Sequence, residues 1–149
     1  THNLDRKDWV VHCAAMTDVA ECEQNHLKAE SVNGYGCKNL VDAVKDTQAS
    51  IIYISTVSVF PGIRGDYKEG DNPLPSRIYD RTKFMGEKFI RKYDCGMILR
   101  LNLIGLHPDK IRENNFVEWL AVSFVNNRDI KLYQDIIINP LSAKTASEL

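Results

Sequence analysis

Two short apolar runs with a helical pattern between them narrow the fold more than any other feature of the chain. Trp9-Val-Val-His-Cys-Ala-Ala15 is nearly continuous in apolar residues and gives way to a polar stretch. That is the pattern of a strand covered on both faces in a parallel sheet. Ser50-Ile-Ile-Tyr-Ile-Ser55 is rich in β-branched residues and reads as a second buried strand, ending in hydroxyls at Ser55, Thr56 and Ser58. From about Glu23 to Lys45, Leu27, Val32, Leu40, Val41 and Val44 recur at helical spacing with charges between them, which predicts a long helix. Strand, helix and strand form one βαβ unit, right-handed in nearly all known cases.

The alternation continues. Between Phe60 and Ser76, Pro61-Gly62, Gly65-Asp66, Gly70-Asp71 and two further prolines predict a loop, long enough to expect a functional role. A helix follows from Ser76 or Arg77 to Tyr93, its apolar face supplied by Ile78, Phe84, Met85, Phe89 and Ile90. Gly96 to Gly105 reads as a third strand, Asn115 to Val125 as an amphipathic helix, Asp129 to Leu132 and Ile136 to Ile138 as short strands, and Ala143 onward as the start of a helix. The expected fold is α/β, a doubly wound, Rossmann-like parallel sheet, in which ligands bind beyond the carboxyl ends of the strands. Ala15, Thr56 and Asn102 each lie at or just past such an end, and the helix bearing Tyr79 would flank the same crevice.

Composition bounds the partners. The chain has 149 residues, 19 Lys+Arg against 20 Asp+Glu and a formal net charge of -1. No basic run offers the electrostatic footprint that nucleic acid or an anionic membrane surface requires. The apolar runs fall far short of the roughly 20 residues that span a bilayer, and the start of the chain has none of the regions of a signal peptide. A cytoplasmic setting is the expectation. Cys13, Cys22, Cys37 and Cys95 form no CxxC pair and sit in or beside apolar runs, so reduced thiols are expected rather than disulfides or a metal site.

Tyr79-Asp-Arg-Thr-Lys83 places a phenol and an ammonium on one helical face. A free phenol has a pKa near 10, and a fixed positive charge beside it favours the phenolate, which suits proton transfer at a carbonyl or alcohol. Alone, the pair is more often a solvated helix face with aromatic packing than a catalytic one. Thr56, at the end of a buried strand, adds a hydroxyl that could bond the same substrate oxygen. Gly34 and Gly36, inside the long helical pattern, each cost about 1 kcal/mol relative to Ala and predict close packing or a kink.

These residues carry a wider likeness. His12-Cys-Ala-Ala15, Asn33 with Asn39-Leu40, Ser55-Thr-Val-Ser-Val-Phe-Pro-Gly62, Tyr79-Asp-Arg-Thr-Lys-Phe-Met-Gly-Glu87, Leu99-Arg100, Asn115-Phe-Val-Glu-Trp119 and Asn139-Pro140 follow one another as in the extended short-chain dehydrogenase/reductase family. Within it the chain most resembles the dTDP-4-dehydrorhamnose reductases and related sugar-nucleotide reductases. The resemblance implies NAD(P)-dependent reduction of a nucleotide-linked 4-keto-sugar, with NADPH favoured over NADH. Tyr79 would be the general acid. Lys83 would hold the cofactor ribose and lower the Tyr79 pKa, Thr56 would orient the substrate carbonyl, and Asn33 would support a proton relay to Lys83. Cys13, Ala14 and Ala15 would lie along the dinucleotide, Val57 and Asn102 against substrate, and a homodimer would pair through the Asn25 and Tyr79 helices.

Two departures qualify the likeness. Val57-Ser58 stands where many of the reductases have Asp-Tyr and the related dehydratases an Asp-Glu pair, so dehydration is disfavoured. No GxGxxG or GxxGxxG turn is present to receive a pyrophosphate at a helix N-terminus. Residues 1–105 would then be the C-terminal half of a Rossmann-like NAD(P)-binding domain and 106–149 the start of a substrate-binding region, the interior of a longer protein. An epimerase with the same Thr, Tyr and Lys, or a non-catalytic regulatory subunit of this fold, remains open at this point.

Overall fold

The computed structural model describes residues 4–105 and 116–148. The chain divides after Arg100 into two compact units. In the first, β1 (Trp9–His12), β2 (Ser50–Thr56) and β3 (Gly96–Leu101) form a sheet in the order β1-β2-β3. β1 and β2 run parallel with Trp9 opposite Ser50 and His12 opposite Tyr53. The architecture is the expected Rossmann-like arrangement of parallel strands and flanking helices.

The crossover from β1 to β2 is not one continuous α-helix. It breaks into α1 (Val19–Gln24), α2 (His26–Ala29), a π-helical stretch over Glu30–Tyr35 and α3 (Gly36–Val44). The irregularity expected at Gly34 and Gly36 is thus a π segment, a form frequent at functional sites. Close packing accompanies it, since a Cβ on Gly34 would lie 2.6 Å from Met85 Sδ. After β2 a short 3-10 turn covers Val57–Val59, and α4 (Ile78–Ile90) returns the chain to β3. The loop between them is folded against itself, with Phe60 and Tyr67 stacked at 4.7 Å and the Leu74 N–H donating to the Val59 carbonyl.

Helices α3 and α4 pack on the same side of the sheet. Cys37 and Val44 from α3, Ile51 and Tyr53 from β2 and Ile90 from α4 form the main core, with Ile98 of β3 against it. The alternation of side chains in a strand turns Trp9 and Val11 to the other face, where they are 60% and 56% exposed. The expectation that the first strand is buried on both faces is therefore corrected: among the described residues, its helices lie over one face. β1 is also shorter than expected, because Cys13 to Ala15 leave the ladder and run on as open backbone.

In the second unit, β4 (Leu103–Ile104) pairs in parallel with β5 (Leu141–Ser142), beside α5 (Phe116–Val125) and α6 (Ala143–Ser147). The expected third strand thus ends at Leu101, and Asn102 separates it from β4, its carbonyl accepting the Leu141 N–H. The strands expected at Asp129–Leu132 and Ile136–Ile138 do not form. Ile137 is 95% exposed, so these apolar residues have no sheet to join among the described residues. The expected start of α5 at Asn115 lies outside the described residues.

Candidate active site

The site lies where β2 ends and α4 begins. The run of β-branched residues carries β2 through the core and delivers Ser55 and Thr56, both buried, at its carboxyl end. Thr56 then turns the chain: its Oγ1 accepts the Ser58 N–H at 3.2 Å and is hydrogen-bonded to Ser58 Oγ at 2.7 Å. The start of α4 is fixed by Glu23, whose Oε1 accepts the Ile78 N–H at 2.8 Å, and by Arg77, whose guanidinium pairs with buried Asp80 at 2.8 Å. Tyr79 is thereby held against α1 and α2, in the cluster of Met16, Cys22 and Ala29.

Thr56 closes β2 and Tyr79 lies in the first turn of α4. Burial, then Asp80 and Cys22, push the Tyr79 phenol above its ordinary pKa; Arg77 and the nearby Thr56 hydroxyl pull the other way more weakly, and the net direction is upward. The expected depression of the phenol is thus not present, because burial dominates. Lys83 is almost fully buried, and its Nζ donates to the Ile54 carbonyl at 2.7 Å and lies 4.2 Å from the centre of the Tyr53 ring. Burial lowers its pKa to about 8, against the pull of Cys37 and Glu87 in the other direction. The ammonium is thus committed to the Ile54 carbonyl of β2 and to the Tyr53 ring.

Asn33 is buried in the π segment and is saturated with partners. Its Oδ1 accepts the Met16 N–H at 2.8 Å, and its Nδ2 donates to the Met16 carbonyl and to Thr82 Oγ1, both at 3.1 Å. The side chain therefore pins the segment that follows β1. Its carbonyl faces the Tyr53 hydroxyl at 3.4 Å, which stands equally far from the Lys83 carbonyl. The Asn33 carbonyl also accepts from Cys37 Sγ at 3.3 Å. Ala15 is half-buried and Cys13 and Ala14 exposed, so a ligand could approach this backbone closely. Val57 is exposed, whereas Asn102 belongs to the second unit.

Several residues here had no role in the sequence reading. Tyr53 is a buried platform under Lys83, its own phenol pushed well above the ordinary value by burial. His12 stacks on the same ring at 5.5 Å, with its Nε2 buried and without a hydrogen-bond partner. Burial and the Lys83 charge hold that imidazole below its usual pKa. Glu87 pairs with Arg100 and receives Ser55. The signal for Glu87 was present in the sequence, since it follows Lys83 by one further helical turn and so shares its face.

Among the described residues, no group of three or more His, Cys, Asp or Glu side chains could hold a metal, and no helix is long and apolar enough to cross a membrane. All four cysteines are free thiols, Cys22 and Cys37 fully buried.

Comparison with known proteins places this arrangement in a family. The chain is 35% identical over 139 residues to the probable low-salt glycan biosynthesis reductase Agl14 of Haloferax volcanii, a match over 91% of this chain and 46% of that protein. It is 33% identical over 108 residues to methionine adenosyltransferase 2 subunit beta of Pongo abelii, over 70% of this chain and 32% of the relative. Among solved structures, the dTDP-4-dehydrorhamnose reductase of Bacillus anthracis in complex with NADP superposes with a TM-score of 0.70 at 31% identity, over 83% of this chain and 43% of that one. The chain spans about half, or less, of the length of the curated relatives it matches. Residues 2–149 match the family model described as the RmlD substrate binding domain, and the chain belongs to that family of dTDP-4-dehydrorhamnose reductase-like proteins.

Proposed function

We propose that this chain supplies the proton-transfer half of an NAD(P)-dependent reductase acting on a nucleotide-linked 4-keto-sugar. The observation that carries the reading is that the end of β2 brings the Thr56 hydroxyl near enough to act on the Tyr79 phenol and, through the Ile54 carbonyl, holds the buried Lys83 ammonium one turn further along α4. A ketone oxygen seated between those two hydroxyls would accept hydrogen bonds from both. Tyr79 stays protonated at neutral pH, as a general acid must, and donates its proton as negative charge develops on the oxygen. Thr56, itself braced by Ser58, orients the carbonyl, and Lys83 stabilises the phenolate left behind.

The residues present fit the nicotinamide end of a dinucleotide: small exposed side chains at Cys13 and Ala14 allow close approach, and Asn33 fixes the backbone just beyond them. When bound, the cofactor supplies the hydride. The likeness to a reductase crystallised with NADP supports NADPH as the first cofactor to test. Residues 1–105 would then serve as the cofactor-binding and proton-transfer part, and 106–149 as the opening of the substrate region, with Val57 and Asn102 as candidate substrate contacts.

Tyr79→Phe tests the reading in the whole protein. Turnover of a dTDP-4-keto-sugar should fall to background while NADPH binding is retained, and Lys83→Ala should weaken both. Unchanged turnover in Tyr79→Phe would remove the phenol from the mechanism. A second reading, a regulatory subunit that keeps the fold, is favoured by the likeness to methionine adenosyltransferase 2 subunit beta. It predicts cofactor or nucleotide binding with no turnover of any keto-sugar.

A further inference from the structure

One buried ion pair grips both ends of the segment that carries Thr56. Just before Thr56, Ser55 Oγ donates to Glu87 Oε1 at 2.6 Å. Just after it, the Phe60 ring lies 4.9 Å from the Arg100 guanidinium. The two grips are joined, because Arg100 donates to Glu87 from Nε at 3.0 Å and from Nη2 at 2.6 Å. Glu87 has no solvent exposure and Arg100 very little. Phe60 in turn stacks on Tyr67 with ring planes 8° apart, so the same pair reaches the long loop.

Such a pair is costly to bury, and apolar residues of the same volume often serve stability as well or better. Its geometry suggests what it does instead. The residues on either side of Ser55 are the two on which the site depends: the Ile54 carbonyl receives Lys83 Nζ, and the Thr56 hydroxyl acts on the Tyr79 phenol. Lys83 and Glu87 lie on one face of α4, one above and one at the grip. Any slip of Ser55 along or away from α4 moves both contacts at once.

We propose that Glu87 is a positioning residue: backed by Arg100 on β3, it holds Ser55 and through it sets the Ile54 carbonyl under Lys83 and the Thr56 hydroxyl beside Tyr79. Its catalytic consequence rests on the reductase reading, but its geometry does not. Ser55→Ala and Arg100→Lys both loosen the grip without changing a charge, so a shift in another group's titration reports position. In the 149-residue chain labelled at lysine and tyrosine, NMR titration should show the Lys83 midpoint displaced from that of the unmutated chain in both variants, as the Ile54 carbonyl loosens from the ammonium. The Tyr79 ring signals should move with it.

In a whole protein that turns over a keto-sugar, the same variants should lower kcat by about ten- to a hundredfold with KM held within about twofold. Melting temperatures that fall while the Lys83 and Tyr79 signals stay fixed would make the pair a packing element and overturn the proposal. Absence of turnover in the unmutated protein would instead sink the reductase reading and leave the titrations to judge the grip.

Discussion

At Gly86 the facing helices and β2 come closest together. A Cβ there would stand 2.6 Å from the Tyr53 hydroxyl oxygen, 2.7 Å from the Asn33 carbonyl oxygen and 2.7 Å from Cys37 Sγ. None of the three can move far: one is backbone, and the others are buried in the core. Gly86→Ala should therefore cost roughly 1–3 kcal/mol through overpacking, and it should also disturb the Tyr53 platform under Lys83. Gly34→Ala is the contrast. Its Cβ would meet only the flexible Met85 side chain, and the gain in helix propensity of about 1 kcal/mol offsets the repacking, so stability should change little. Urea unfolding of both variants checks this, and equal losses would show that the close approach at Gly86 is not what fixes α4. Asn33→Ala strips partners from two buried backbone groups of Met16 and from Thr82, and should cost roughly 2–3 kcal/mol.

α4 turns these residue contacts into a site, and its pH response is a test of how deeply Lys83 is set. The folded chain holds Lys83 at about 8 against 10.5 unperturbed. The unfolded chain then binds more protons than the folded one as pH rises through about 8, so the Lys83 contribution to stability increases toward alkaline pH. Opposing this, the raised thiols of Cys22 and Cys37 and the raised phenols of Tyr53 and Tyr79 favour the unfolded state once unfolded Cys and Tyr begin to ionise, near 9 and above. The gain should therefore appear between about pH 8 and 9, and Lys83→Met should abolish it. Denaturant midpoints across that window read the slope directly, and an unchanged slope in the variant would place the ammonium in water. Much of this element was legible, since Tyr79, Lys83 and Glu87 share a face by spacing alone and Gly34 and Gly36 flagged the irregular helix opposite. Which charge acts on which group was not legible. Helical periodicity cannot show that Lys83 turns toward the Ile54 carbonyl or that Cys22 of α1 lies against Tyr79, because those contacts join residues from different elements.

For the first unit as a whole, the sheet has two unlike faces. One packs on α3 and α4, and the other shows Trp9, Val11 and Met97 among the described residues, although apolar runs in sequence look the same whichever face is covered. Val11→Lys should therefore change stability by no more than about 0.5 kcal/mol, as for an ordinary surface position, while reducing self-association seen by light scattering. A large loss of stability would mean that something covers this face. Dinucleotide binding is the sharper question. Micromolar affinity requires about 8 kcal/mol, much of it usually drawn from a pyrophosphate seated on free amides at a helix N-terminus. The helix that follows β1 cannot take that part. Asp18 caps α1 with its own carboxylate, which accepts the Glu21 N–H at 2.8 Å, and Glu21 adds a second negative charge in the first turn. A phosphate would have to displace one carboxylate and approach another. The 149-residue chain should therefore bind NADPH and NADH weakly or not at all in a nicotinamide fluorescence titration. Asp18→Ser keeps a cap while removing a charge, and if a phosphate does approach α1 this variant should bind more tightly at low salt than at high salt. Micromolar binding by the unmutated chain would show that Cys13 to Ala15 and the Lys83 face suffice without a pyrophosphate site.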